Sequence, residues 1–105
     1  NPVIGNLRCK INFPKPFQNP QNLIQGFVVG GNSPLLRNDN KQGKTCFFYD
    51  LNDNTWSRSP SLQQSRWGHG LVRLGDTLYA VAGCGQQNSM EALSLTDLES
   101  GWAPR

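Results

Sequence analysis

With 105 residues the chain suffices for one small domain, and its 11 Gly, 7 Pro and only 16% charged residues favour a turn-rich all-β fold over a helical one. The net charge of +3 is modest, whereas nucleic-acid binders concentrate Lys and Arg more heavily, so no nucleic-acid partner is expected. No run reaches the roughly 18 apolar residues of a membrane span and no charged-then-apolar leader opens the chain, so neither a membrane association nor a signal peptide is expected.

The segment 1–26 reads as an irregular arm or connection with one possible strand between Val3 and Ile11. Phe13-Pro14-Lys15-Pro16-Phe17 and Asn19-Pro20 should break regular structure, because proline lacks the amide proton that a central strand needs. Phe27-Val28-Val29 is a buried strand closed by Gly30-Gly31, a pair that permits positive φ and close backbone approach. A polar loop follows through Lys44, and Thr45–Leu51 forms the next strand. Asn52-Asp53-Asn54 is a tight turn, and Trp56 begins a short outer strand.

Arg66–Leu74 alternates imperfectly and reads as a new strand, with Gly75-Asp76 as the hairpin signal before Leu78–Gly83. Glu91–Leu95 alternates, Glu99-Ser100-Gly101 turns, and Trp102 starts the last strand. The second half therefore echoes the first: Leu78–Gly83 answers the Gly30-Gly31 run, Leu93–Leu98 answers the Tyr49-Asp50 run, and Trp102 answers Trp56. Each unit is expected to hold about four antiparallel strands, which points to stacked β-units and not to a closed globule. No window shows apolar spacing of three and four residues with a capping signal, so no helix is expected.

Cys9, Cys46 and Cys84 are odd in number and widely spaced, without zinc or redox spacing. Reduced, mostly buried thiols are the plain reading, though the spacing leaves their disulfide state open. No Asn-x-Ser/Thr sequon occurs, which fits an intracellular home.

Gly30-Gly31, Tyr49-Asp50, Trp56, Pro60, Arg66, Gly68-His69-Gly70 and Leu78-Tyr79 resemble the kelch repeat, in order and at suitable spacing. The resemblance covers residues 27–105: one nearly complete unit over 27–75, running into the first strand of the next, and a truncated second unit over 76–105. The second copy departs from the pattern, with Ala82 in place of the first glycine before Gly83 and Thr96 where the tyrosine is expected. What the resemblance implies is a β-propeller of antiparallel four-stranded blades, of which this chain would be a fragment of about two blades plus the arm. Two blades cannot close a ring, so other blades of the same propeller are expected as neighbours. The opening residue is Asn1 and not Met, which fits a piece of a longer protein.

Members of that family mostly bind proteins, as ubiquitin-ligase substrate adaptors or as actin-binding cytoskeletal proteins. A non-catalytic interaction module is therefore expected, in the cytoplasm or on the cytoskeleton, with no cofactor. A few members, similar to galactose oxidase, are copper enzymes, and an extracellular attachment propeller is a further alternative. His69 is the only histidine, so no metal set and no catalytic residue is assigned. Tyr49, Trp56, Tyr79 and Trp102 offer broad faces for packing between blades, with polar ends to satisfy at the edge. Arg66 is a candidate to bond carbonyls or a carboxylate at a blade boundary.

In such blades the second-to-third strand loop and the connection to the next blade share one face. That face would receive Arg37, Lys41, Lys44, Arg58 and Arg66, whereas Asp53, Asp76 and Glu99 fall on the other, with Asp50 and Asp97 near it. The basic face would suit a protein partner with an acidic surface or peptide. Leu35-Leu36 in the same loop would add an apolar anchor if exposed.

Overall fold

The computed structural model describes residues 9–19, 21–30, 43–66, 69–83 and 88–105. Eight strands follow in order: β1 (Cys9–Gln18), β2 (Leu23–Val29), β3 (Cys46–Asp50), β4 (Thr55–Ser59), β5 (Gly70–Leu74), β6 (Thr77–Val81), β7 (Met90–Ser94) and β8 (Trp102–Pro104). They form two antiparallel four-stranded sheets, β1-β2-β3-β4 and β5-β6-β7-β8, each a meander in chain order. The one helical piece among the described residues is a single 3₁₀ turn, Leu98–Ser100. The expectation of an all-β chain built from four-stranded antiparallel units is met.

The N-terminal expectation needs correction. The segment through Phe13–Phe17 is not an irregular arm but the first strand of the first sheet. Pairing with β2 runs from Cys9↔Val29 to Asn12↔Gly26, lapses, and resumes at Phe17↔Ile24. Pro14 and Pro16 sit inside that lapse on an edge strand, where no ladder hydrogen bond is asked of them. Phe13, at the start of the lapse, and Phe17, at its end, are both buried in the core. The first sheet thus spans residues 9–59, and the second spans 70–104 with a full set of strands. Arg66 and His69 stand outside the strands, and the strand expected from Arg66 begins only at Gly70.

The core lies between the sheets. From the first come Phe13, Phe17, Ile24, Phe27, Val29, Cys46 and Phe48; from the second, Leu78, Ala80, Leu93 and Trp102, with Leu62 from the connection and Leu95 beyond β7. Phe13, Phe27 and Phe48 form a ladder across three strands, with tilted rings at 6.1 and 5.9 Å.

The registers show how the sheets correspond. Val29 opposes Cys46, the first residue of β3, and Val81 opposes Met90, the first residue of β7. Tyr49 opposes Trp56 as Leu93 opposes Trp102. By this count Phe27, Val29, Cys46 and Phe48 match Tyr79, Val81, Met90 and Ala92, whereas Leu78, Ala80, Leu93 and Trp102 match Gly26, Val28, Tyr49 and Trp56. The core therefore joins non-equivalent faces: the front of the first sheet meets the back of the second. The tyrosine position of the second unit is filled by Leu93, and not by Thr96 as the sequence echo suggested. The connection between β7 and β8 is longer than that between β3 and β4, and the 3₁₀ turn takes up the difference.

Candidate partner-binding face

The β2–β3, β4–β5 and β6–β7 connections leave one end of the sheets, and the shorter β1–β2, β3–β4, β5–β6 and β7–β8 connections leave the other. At the first end, Arg66 fastens the connections together. Its Nε donates to Glu91 Oε2 at 3.1 Å, Nη1 donates to Ala82 O at 2.7 Å and Ser89 O at 3.1 Å, and Nη2 donates to Ser89 Oγ at 3.0 Å. Its own amide donates to Gly43 O at 2.8 Å. Glu91 also accepts the backbone amides of Gln63 at 2.6 Å and Gln64 at 3.1 Å. Arg66 is 0% exposed and Glu91 1%. A buried pair survives only when its remaining donors and lone pairs are met, as they are here.

This arrangement realises the expected role of Arg66 at a sheet boundary, bonding carbonyls and a carboxylate. It also corrects its place in the basic surface, because a fully buried guanidinium cannot meet a partner. Sequence reasoning missed Glu91, Gln63 and Gln64. The available signal was the acid itself: Glu91 occupies an inward position of an alternating strand, where a carboxylate needs a buried cation.

Gly30 closes β2 at φ +64, and a Cβ there would stand 2.6 Å from Arg66 O and 3.0 Å from His69 Cε1. Ala82, its counterpart after β6, takes φ +59. His69 packs against this corner at 8% exposure, and neither ring nitrogen has a hydrogen-bond partner among the described residues. Burial, reinforced by the Arg66 charge and partly opposed by Glu91, lowers its pKa from 6.5 to about 4. At neutral pH the ring is therefore neutral.

Of the remaining surface set, Lys44 is half-buried, and its carbonyl receives Leu62 N at 2.8 Å. Arg58 is exposed and stacks over Phe47 at 5.9 Å. Arg37, Lys41, Leu35 and Leu36 lie outside the described residues, as do Gly31 and Cys84. Arg58, Asp97 and Glu99 are among the residues bordering a cavity of about 410 Å³.

Among the repeat aromatics, Trp102 is buried between the sheets and its Nε1 donates to Pro60 O at 3.1 Å, the satisfied polar end expected of it. Tyr49 and Trp56 meet edge to face at 5.3 Å on the back of the first sheet, both half-buried. Tyr79 stands half-buried on the front of the second, and Gly83 has φ +108. Cys46 Sγ donates to Lys44 O at 3.4 Å, and burial pushes the Cys9 pKa up, which keeps its thiol protonated. No helix among the described residues is long and apolar enough to cross a membrane.

No family model and no curated protein matches the chain.

Proposed function

We propose that this chain supplies two blades of a kelch-type β-propeller and acts as a non-catalytic protein-interaction module, as a substrate adaptor of ubiquitin-ligase type or as an actin- or cytoskeleton-binding protein. The observation that carries the reading is the front-to-back packing of the two sheets. In a sandwich two like faces meet, whereas a front-to-back pair presents one front and one back to further units of the same kind. Other blades of the same propeller take those places.

Binding falls to the end that carries the long connections. Loops held on a rigid frame are where binding residues concentrate, and here the frame is specific. Gly30 N donates to Thr45 O at 3.0 Å across the base of the β2–β3 connection, and Ala82 N donates to Ser89 O at 2.8 Å across the base of the β6–β7 connection. Arg66 ties both bases to the Glu91 carboxylate. Arg37, Lys41 and Lys44 fall within or beside the β2–β3 connection and suit an acidic peptide or protein surface.

The test is fluorescence anisotropy with a labelled Glu-rich peptide. The chain should bind it with an affinity that falls as salt rises. Arg37→Glu, Lys41→Glu and Lys44→Glu combined should abolish binding and leave thermal unfolding unchanged. Unchanged affinity in the triple variant would sink the proposal, and cosedimentation with filamentous actin separates the cytoskeletal version from the adaptor version.

A further inference from the structure

The two sheets approach each other along their first strands, β1 and β5, which are edge strands. A cleft of about 450 Å³ runs between them, with Ile11, Phe13, Pro14, Leu71, Arg73 and Gly75 in its walls. It reaches the β5–β6 hairpin, at the end opposite the loops proposed above for partner binding. Its size falls within the range of ordinary ligand sites, roughly 300–1,000 Å³. The wall supplied by β1 is poor in polar groups. Pro14 has no amide proton, and the Phe13 carbonyl is taken by Gln25 Nε2 at 2.6 Å.

Arg73 is the charged group in this cleft. It opposes Leu78 in the β5–β6 ladder, which turns it toward the first sheet. Its guanidinium stands over Phe13 at 4.5 Å and Phe17 at 5.2 Å, and its Nε donates to Gly75 O at 2.8 Å. Two rings and a carbonyl therefore hold the fork in place. Its Nη1 and Nη2 donate to no described residue, and Arg73 makes no ion pair among the described residues. Asp76, next to Gly75, is exposed and does not pair with it. A fixed guanidinium beside apolar walls favours a ligand with a negative end and an apolar body, because the fork matches a carboxylate and needs no further ordering to meet it.

We propose that the cleft between β1 and β5 binds a small carboxylic acid with an apolar body, its carboxylate on Nη1 and Nη2 of Arg73 and its body against Ile11, Phe13, Pro14 and Leu71. This site is additional to the loop end and does not depend on that reading.

The experiment is an NMR titration of the full chain with 3-phenylpropanoate, its neutral amide 3-phenylpropanamide, and acetate. The amide keeps the body without the charge, and acetate the charge without the body. 3-Phenylpropanoate should bind about tenfold more tightly than either, the scale of one charge-assisted contact. Its shifts should centre on the amides of Ile11, Phe13, Leu71 and Arg73. Arg73→Gln should erase the preference for the acid over the amide while leaving the affinity for the amide unchanged. Arg73→Lys keeps a cation near the two rings but loses the fork, so it should retain only part of that preference. The amide spectrum of each variant reports its fold directly, and Arg73→Lys carries the test if Arg73→Gln does not fold. Equal affinity for the acid and the amide, a preference that survives in full in the folded variants, shifts centred elsewhere, or no shifts at all would overturn the proposal.

Discussion

Ala82 holds a left-handed backbone, φ +59, at the position where the first unit places Gly30 at φ +64. An L-residue is strained there by about 1–2 kcal/mol, and glycine gives part of that back through its freer unfolded chain. Ala82→Gly keeps the amide bond to Ser89 and the carbonyl bond from Arg66, so it should raise stability by about 0.5–1 kcal/mol in urea unfolding. The reverse change, Gly30→Ala, adds a Cβ 2.6 Å from Arg66 O and should cost more than about 2 kcal/mol. A neutral or destabilising Ala82→Gly would show that the turn is relaxed as it stands. His69 gives the same corner a pH dependence. Its folded pKa of about 4 lies below the ordinary 6.5, so the unfolded chain takes up the proton first. The stabilising effect of the neutral ring is complete above about pH 6.5 and is lost as pH falls toward 4, amounting to on the order of 2 kcal/mol. Arg66 and Glu91 are the charged neighbours that act on it, and Glu91 only partly offsets the cost of burying the cation. Urea midpoints at pH 7 and pH 4.5 should therefore fall less for His69→Gln than for the parent chain, and parallel losses would remove His69 as the cause.

Elements whose signals are local were legible in the sequence. Cys46–Asp50 and Thr55–Ser59 emerge on either side of Asn52-Asp53-Asn54, where Asn54 takes φ 53 as the turn chemistry requires. Gly75-Asp76 likewise marks the β5–β6 hairpin, with Gly75 at φ +61. What escaped depends on distant partners. Pro14 and Pro16 argue against a strand until β1 is known to be an edge strand with a lapse in its pairing. The position equivalent to Tyr49 was misplaced because Asp97 invited an alignment that the longer β7–β8 connection shifts to Leu93. Arg66 read as a surface cation because its carboxylate lies 25 residues ahead, on β7. The cavity bordered by Asp97 and Glu99 draws on the β1–β2 and β7–β8 connections, which no pattern within one unit brings together. Of the candidate site, the glycine and arginine that fasten the loop bases were legible, and the acid completing the frame was not.

The whole molecule is defined by what the front-to-back arrangement leaves uncovered. Phe27, Val29, Cys46 and Phe48 are buried because the second sheet lies on them, whereas their counterparts Tyr79, Val81 and Met90 remain partly open. Beside them on the same face, Val72 is 42% and Leu74 65% exposed, with Val81 at 37%. These three are the exposed large apolar side chains among the described residues. Their neighbours Leu71 and Arg73 turn the other way, toward the first sheet, where Arg73 stacks over Phe13 at 4.5 Å and Phe17 at 5.2 Å. Val72 and Leu74 can therefore be altered without touching the core. Val72→Lys with Leu74→Lys should remove most of the fluorescence enhancement that the parent chain gives an apolar-surface dye, while shifting unfolding by no more than about 0.5 kcal/mol per site. Loss of stability well beyond that would mean the face is already covered within the chain. Undiminished dye binding would locate the open apolar surface elsewhere on the chain.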